Sequence, residues 1–355
     1  MSWRDHLRQV EPYVAGEQPK MRNLVKLNTN ENPYGPGEKV KAAIRDFDSE
    51  VLNLYPNPDA ETLRHQLAMY HGLADDQVYL GNGSDAVLAI IFLTCFNSSK
   101  KLLFPDITYS FYPVYCELYG IDYETIPLKD DFTIDIKDYM KDNGGIIFPN
   151  PNAPTGAALS KAQIEEILKH NQNSVVVIDE AYVDFGAESV MRLIDTYENL
   201  LVVHTFSKFR SLAGIRLGAA FGQKELISHL YDVKNSFNSY PIDALAQKIG
   251  EASIQDSAYI KANAQKVIAT REKTCEALKA LGFTMPESSA NFIFVTHESV
   301  RADVLFKALR ERHIIVRYFN KPRIDNYLRI TIGTPEQMEV LIEALKEILS
   351  KQAEG

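Results

Sequence analysis

Between residues 78 and 222 the chain alternates short apolar runs with stretches of helical periodicity, and no other feature narrows its possible folds so far. Strands are predicted at Val78–Leu80, Lys101–Phe104, Ile146–Phe148, Ser174–Ile178, Leu200–His204 and Gly218–Gly222. Helices are predicted at Ser84–Phe96, Ser110–Tyr119, Lys161–His170 and Lys224–Asn235, between most of those strands. Such alternation gives a mostly parallel sheet, flanked by helices that return the chain in right-handed crossovers. The expected fold class is therefore α/β.

After this region the pattern changes. A long helical stretch is predicted from Asp243 to about Leu281, ending at Gly282. Beyond it come a strand at Asn291–Val295, a helix at Ala302–Arg312, strands at Ile314–Tyr318 and Tyr327–Ile332, and a helix at Glu336–Lys351. This reads as a smaller α+β domain. The irregular first 40 residues, rich in Asn, Pro and Gly, are expected to form an arm and part of the small domain. The expected division is 1–40, 41–245 and 246–355, and 355 residues suffice for a large core in two domains.

Charge and composition exclude several classes. The net charge of −9 argues against general binding to nucleic acid or a membrane surface, so an anionic ligand needs a locally basic pocket. The cysteines Cys95, Cys116 and Cys275 have no paired spacing and read as buried, reduced thiols of a cytoplasmic chain. Near Trp3 there is no apolar core of a secretion signal, and the longest apolar stretch, Ala86 to Phe96, reads as a buried helix too short for a bilayer. No metal site is expected.

Two strand ends carry the chemistry. Val175 to Ile178 leads into Asp179-Glu180-Ala181-Tyr182, and Leu200 to Val203 leads into Thr205-Phe206-Ser207-Lys208. Ligands of open α/β sheets bind at such ends. Pyridoxal phosphate needs this pair: a lysine for the Schiff base and an acid for the pyridinium nitrogen. Taken singly, Asp179 could cap a turn and Lys208 could be a solvated surface charge. Desolvation beside an apolar strand would instead lower the Lys208 pKa and make it a nucleophile. Arg216, set among small and apolar residues in Ala213-Gly214-Ile215-Arg216-Leu217-Gly218, reads as a buried arginine that needs an anion. Gly81-Asn82-Gly83-Ser84-Asp85 follows a strand and opens a helix; it suits a phosphate, or only a structural Gly-Ser cap. A dinucleotide site survives there on spacing alone, with Ala86 in the place of the third glycine. Asn150-Pro151-Asn152-Ala153-Pro154-Thr155-Gly156 is a turn that can also place an amide near a ring.

Together these residues resemble the pyridoxal-phosphate-dependent aminotransferases of fold type I, class II, most closely their histidinol-phosphate branch. The resemblance runs nearly end to end: LNTNENPYGP at 27–36, Tyr55-Pro56, GNGSD at 81–85, Thr108-Tyr109, NPNAPTG at 150–156, IDEAYVDF at 178–185, TFSK at 205–208, LAGIRLG at 212–218 and LRITIGT at 328–334. It implies a large domain with a seven-stranded, mostly parallel sheet and a small α+β domain. It implies that Lys208 carries pyridoxal 5′-phosphate and moves the proton, that Asp179 pairs with the ring nitrogen, and that Tyr182 meets the ring oxygen. Tyr109 would stack on the ring, while Ser84, Asp85, Ser207 and Arg216 would surround the cofactor phosphate. Tyr55 matches a tyrosine that crosses a homodimer interface to the partner's phosphate, giving a composite site. Arg329, helped by Arg317 and Tyr13, matches the arginine that takes a glutamate carboxylate or a substrate phosphate.

The chain departs from the family pattern at three places. Ala153 stands where many relatives have the asparagine that bonds the ring oxygen, with Asn152 the nearest amide. Ala86 replaces a frequent glutamate, and Phe209-Arg210-Ser211 is poorer in glycine than usual. The implied reaction exchanges an amino group between L-histidinol phosphate and 2-oxoglutarate, with L-glutamate as the other amino donor. An aromatic-amino-acid aminotransferase and a threonine-phosphate decarboxylase are the enzymatic rivals on the same scaffold. A cofactor-binding regulator would need a DNA-binding module, for which residues 1–40 are too short and too little basic. A nicotinamide dehydrogenase leaves TFSK and Arg216 unexplained.

Overall fold

In the computed structural model, which describes residues 2–20 and 22–353, an arm with one 3-10 turn (Trp3–His6) leads to a two-residue strand, β1 (Val25–Lys26). Met1 and Gly355, the outer limits of the expected division, lie outside the described residues. Helices α1 (Glu38–Arg45) and α2 (Glu61–His71) come next.

Seven strands then form the main sheet: β2 (Val78–Asn82), β3 (Leu102–Pro105), β4 (Tyr123–Ile126), β5 (Gly145–Pro149), β6 (Val176–Asp179), β7 (Leu200–Thr205) and β8 (Leu217–Gly222). Their order is β2-β8-β7-β6-β5-β3-β4, with β8 antiparallel to both neighbours and the remaining pairs parallel. Helices α3 (Gly83–Cys95), α4 (Phe111–Tyr119), α5 (Lys161–His170), α6 (Lys224–Phe237) and α7 (Ala244–Gln255) cover both faces. The central strands are apolar throughout because both faces are covered. Ile146, Phe148, Val176 and Ile178 pack with α2, α5 and α7, while the alternate residues Ile147 and Val177 pack with α3, α4 and α6. The period-2 side-chain alternation of a strand thus feeds two cores.

The remaining elements are α8 (Ser257–Ala280), β9 (Phe283–Thr284), β10 (Phe292–His297), α9 (Ala302–Glu311), β11 (Ile314–Ile315), β12 (Arg317–Tyr318), β13 (Leu328–Thr331) and α10 (Pro335–Ala353). A four-stranded sheet runs β12-β13-β10-β9, and β1 pairs in parallel with β11.

Four features differ from the sequence reading. The edge strand β4 was not predicted, because in Tyr-Glu-Thr-Ile only Ile126 is buried and no apolar run marks it. The two-residue strand β9 is too short to leave a pattern. The single long helix expected from Asp243 is two helices, broken at Asp256. There the Asp256 carboxylate accepts the Lys39 backbone N–H at 3.0 Å, so a tertiary contact with the start of α1 fixes the break. The expected strand Ile314–Tyr318 changes partners at Val316, giving β11 to β1 and β12 to β13.

Candidate active site

Parallel strands deliver their C-terminal ends to one edge of the sheet, and a cavity of about 480 Å3 opens there. Asp179 is the last residue of β6, Ser207 and Lys208 follow β7, and Arg216 directly precedes β8; all four line the cavity.

One end is built for an anion. A Cβ at Gly83 (φ +77°) would come within 2.6 Å of Arg216 Nη2, and one at Gly218 would meet the Ser84 backbone nitrogen at 2.5 Å. Only glycine at both places lets the start of α3 sit this close to Arg216 and β8. The unpaired N–H groups of that first turn make an anion site. Arg216 itself has a left-handed backbone, φ 58°, a conformation that costs energy in a residue with a side chain. Contrary to the sequence reading, its side chain is not buried without an anion. It is 43% exposed and its Nη2 lies 2.9 Å from Asp85 Oδ2, while Nη1 donates to Ser207 Oγ at 3.4 Å. Tyr109 donates its hydroxyl to the other Asp85 oxygen at 2.8 Å, so Asp85 ties the aromatic wall to the arginine.

The middle of the cavity holds the acid and the amine. Burial pushes the Asp179 carboxyl up to about 6, with the nearby Asp85 charge adding to the effect. Hydrogen bonds from the Ala181 N–H (3.2 Å) and the Tyr112 hydroxyl (3.3 Å) act in the opposite direction. An acid in this position is stabilised by a cationic partner. Burial, followed by the Arg329 charge, lowers Lys208 to about 8, and its Nζ donates to the Thr29 carbonyl at 3.0 Å. Its amine is thereby neutral far more often than that of a surface lysine. Tyr182 accepts a hydrogen bond from Asn30 Nδ2 at 3.0 Å, and its own acidity is weakened by burial.

The other end is basic. Arg317 and Arg329 both line it, and the arm brings Tyr13, whose ring stacks on Phe111 at 4.5 Å. Arg329 donates Nη2 to the Asn28 carbonyl at 3.0 Å, while its buried Nε has no partner among the described residues.

Two expected residues lie elsewhere. Asn152 does not line the cavity: its amide nitrogen donates to the Ile107 carbonyl (2.9 Å) and Thr155 Oγ1 (3.1 Å), and its oxygen accepts from Thr108. Both of its amide hydrogens are used in holding the turn, which corrects the reading that it offers an amide to a ring. Tyr55 is 82% exposed and rests against Tyr240 at 4.7 Å, outside its own chain's cavity. Its loop is anchored by the buried Lys234, which pairs with Asp59 at 2.9 Å.

Residues that sequence patterns missed hold the site in place. Tyr112 reaches Asp179 from inside α4, and Asn32 Nδ2 donates to the Lys208 carbonyl at 3.1 Å. Asn30 is fixed by Thr331 on β13. The Asn-Thr-Asn-Glu-Asn run at 28–32 was the only available signal, and its amides act through contacts distant in sequence.

An anion cradle, a buried acid seeking a cation and a desolvated lysine in one cavity fit the phosphate, ring nitrogen and aldehyde of pyridoxal phosphate. Among the described residues no group of His, Cys, Asp or Glu is placed to hold a metal ion, and no helix is long and apolar enough to cross a membrane.

Comparison with known proteins agrees with this geometry. The family model for class I and II aminotransferases matches residues 22–345. The chain is 57% identical over 352 residues to a histidinol-phosphate aminotransferase of Lactococcus lactis subsp. cremoris, covering 99% of each chain. It is 55% identical to that of Acinetobacter baylyi, covering 97% of this chain and 96% of the other. Among solved structures, histidinol-phosphate aminotransferase of Clostridium acetobutylicum superposes with a TM-score of 0.85 at 23% identity, over 92% of this chain and 100% of that one. That of Sinorhizobium meliloti, solved with pyridoxal-5′-phosphate, gives 0.84 at 20% identity, over 93% of this chain and 92% of that one. The seven-stranded sheet with a smaller sheet domain is thus the fold type I architecture expected from the sequence. The chain belongs to the class I and II aminotransferases, in the histidinol-phosphate aminotransferase family.

Proposed function

We propose that this chain transfers an amino group between L-histidinol phosphate and 2-oxoglutarate, using pyridoxal 5′-phosphate. One observation carries the choice of substrate: Arg317 and the half-buried Arg329, whose Nε has no partner among the described residues, line the same cavity from paired positions of β12 and β13. A guanidinium fork takes either a carboxylate or a phosphate, which lets one pocket serve two unlike anionic substrates.

Bound pyridoxal phosphate supplies an electron sink for the charge left when a proton leaves the carbon bearing the amino group. Asp179 would stay ionised beside the ring nitrogen. Lys208 takes the proton from the substrate carbon and returns it at the other end of the reacting group. Ser84, Asp85, Ser207 and Arg216 would hold the cofactor phosphate, the first two through backbone N–H groups at the start of α3. Tyr182 would meet the ring oxygen, Tyr109 would stack on the ring, and Tyr13 would help Arg329 bind the substrate. The arm to residue 40, the large part at 41–245 and the small part at 246–355 each contribute to this site on our reading.

The protein works as a cytoplasmic homodimer on this account. Tyr55 lies among the exposed Leu52, Leu54, Phe237 and Tyr240, an apolar surface suited to a second copy. From there Tyr55 reaches the partner's cofactor phosphate. Cys95, Cys116 and Cys275 remain free thiols, in keeping with a reducing compartment.

With 2-oxoglutarate saturating, kcat/KM for L-histidinol phosphate is expected to exceed that for L-phenylalanine by about 10²-fold or more. A preference for phenylalanine, or carbon dioxide released from threonine phosphate, overturns the assignment. Arg329→Ala is expected to lower kcat/KM by about 10²-fold for L-histidinol phosphate and for L-glutamate alike, the loss of a charged hydrogen-bond donor. An effect on one substrate alone contradicts the shared pocket.

A further inference from the structure

We propose that Phe319 is a positioning residue: its ring holds the Arg317 and Arg329 guanidiniums together at the substrate end of the cavity. This rests on the reading that the same end takes the anionic group of the amino donor.

The two arginines pose an electrostatic problem. Both line one cavity, and the Arg317 charge is among the causes that lower the Arg329 pKa, after burial. Neither makes an ion pair with a carboxylate among the described residues; the nearby Glu31 is paired with Lys26 and Glu17 with Arg310. Without substrate, two like charges in a partly desolvated pocket repel and tend to swing apart.

Aromatic rings flank the two guanidiniums. Arg317 Cζ lies 5.5 Å from the Phe319 ring centroid and Arg329 Cζ lies 5.6 Å from the same centroid. Phe292 flanks Arg329 again at 5.4 Å. An aromatic face attracts a guanidinium through its quadrupole, more strongly where water is excluded. Unlike a carboxylate, it brings no charge to neutralise the pair, so both cations stay available to an incoming anion. Phe319 follows β12 directly, and its ring meets Phe294 at 6.5 Å. Phe294 is fully buried and stacked on Tyr327 at 4.6 Å, so a rigid aromatic group sets the ring that sets the arginines.

The clamp therefore prepares the site for an anion before substrate arrives. It acts on binding and leaves the proton transfer at Lys208 untouched. Replacing the ring with leucine keeps an apolar side chain but removes the quadrupole; tyrosine keeps the face.

The test uses cofactor-loaded protein with inorganic phosphate as the probe, the cofactor's own phosphate site being filled. Phe319→Leu is expected to weaken phosphate binding, measured by calorimetry, about tenfold, and to raise KM for L-glutamate similarly with kcat within about twofold. Phe319→Tyr is expected to bind phosphate within about twofold of the parent protein. Unchanged phosphate affinity in Phe319→Leu overturns the proposal. So does a Phe319→Tyr protein as weak as Phe319→Leu, which would show that shape alone matters. A fall in kcat at constant KM also overturns it. If the parent protein fails to use L-histidinol phosphate, the substrate reading falls, yet the phosphate and glutamate comparisons still decide the role of Phe319.

Discussion

Lys208→Ala is expected to lower the transamination rate by about 10⁴-fold or more, the upper range for loss of a positioned acid–base group, while the protein stays folded. The effect is large because one side chain has two tasks, holding the cofactor and moving the proton. The second task needs a neutral amine, and burial, by lowering Lys208 to about 8, raises the neutral fraction near physiological pH far above that of a surface lysine. Lys208→Arg is expected to be nearly as inactive, because a guanidinium does not give up its proton in this range. The fold should survive. Among the described residues the Lys208 side chain makes a single hydrogen bond, to the Thr29 carbonyl, and desolvating its charge opposes folding at neutral pH. A far-ultraviolet spectrum matching the parent, together with lost turnover and lost visible absorbance, is the expected outcome. Activity within tenfold of the parent would remove Lys208 from the mechanism.

Asp179→Asn is expected to have two opposite effects. Turnover should fall by about 10²–10³-fold, the usual scale for removing one preorganised charge from a reacting centre. The cofactor-free protein should become more stable at neutral pH. The sign follows from linkage. The folded-state value of Asp179 is raised to about 6 from an ordinary 3.8, so the folded chain holds this proton more tightly than the unfolded chain. Stability contributed by the group is therefore lost as pH rises from about 4 to about 6, and the cost is fully present above that window. At about 1.4 kcal/mol for each pH unit, the cost reaches about 3 kcal/mol at neutral pH. Asparagine has the same shape without the charge and should recover much of it. Urea unfolding of the cofactor-free proteins at pH 4 and at pH 7.5 reads the difference. A variant no more stable than the parent at pH 7.5 contradicts the burial account. Of the two residues on which the chemistry depends, Asp179 is buried and Lys208 is desolvated, each against its own charge, so stability is given up where function needs it.

The legible part of this site lay at strand ends. Asp179 and Lys208 could be found because apolar runs at 175–178 and 200–203 point at them, and sheet topology brings adjacent strand ends together. The cradle at Gly83 could be found for the same local reason. What the sequence concealed depends on contacts between distant segments. Tyr112 reads as one more aromatic in an apolar helix until α4 packs it against β6. Asn30 and Asn32 look like polar turn residues until β13 and the Lys208 segment receive them. Phe319 acquires its role only when β12 and β13 pair to bring Arg317 opposite Arg329. Asn152 was misread because a turn amide can face a ligand or its own backbone, and spacing does not distinguish the two. The break at Asp256 was hidden for a related reason: helical periodicity continues through it, and only the docking of α1 interrupts the helix.

The most direct measurement is a single half-reaction. Cofactor-loaded protein is mixed with L-histidinol phosphate in the absence of any keto acid, and the visible absorbance is followed with time. The account predicts rapid loss of the yellow band, its return on adding 2-oxoglutarate, and no loss with Lys208→Ala. A band that persists with L-histidinol phosphate but is bleached by L-phenylalanine would contradict the account, and a protein that binds no pyridoxal phosphate would contradict it at its root.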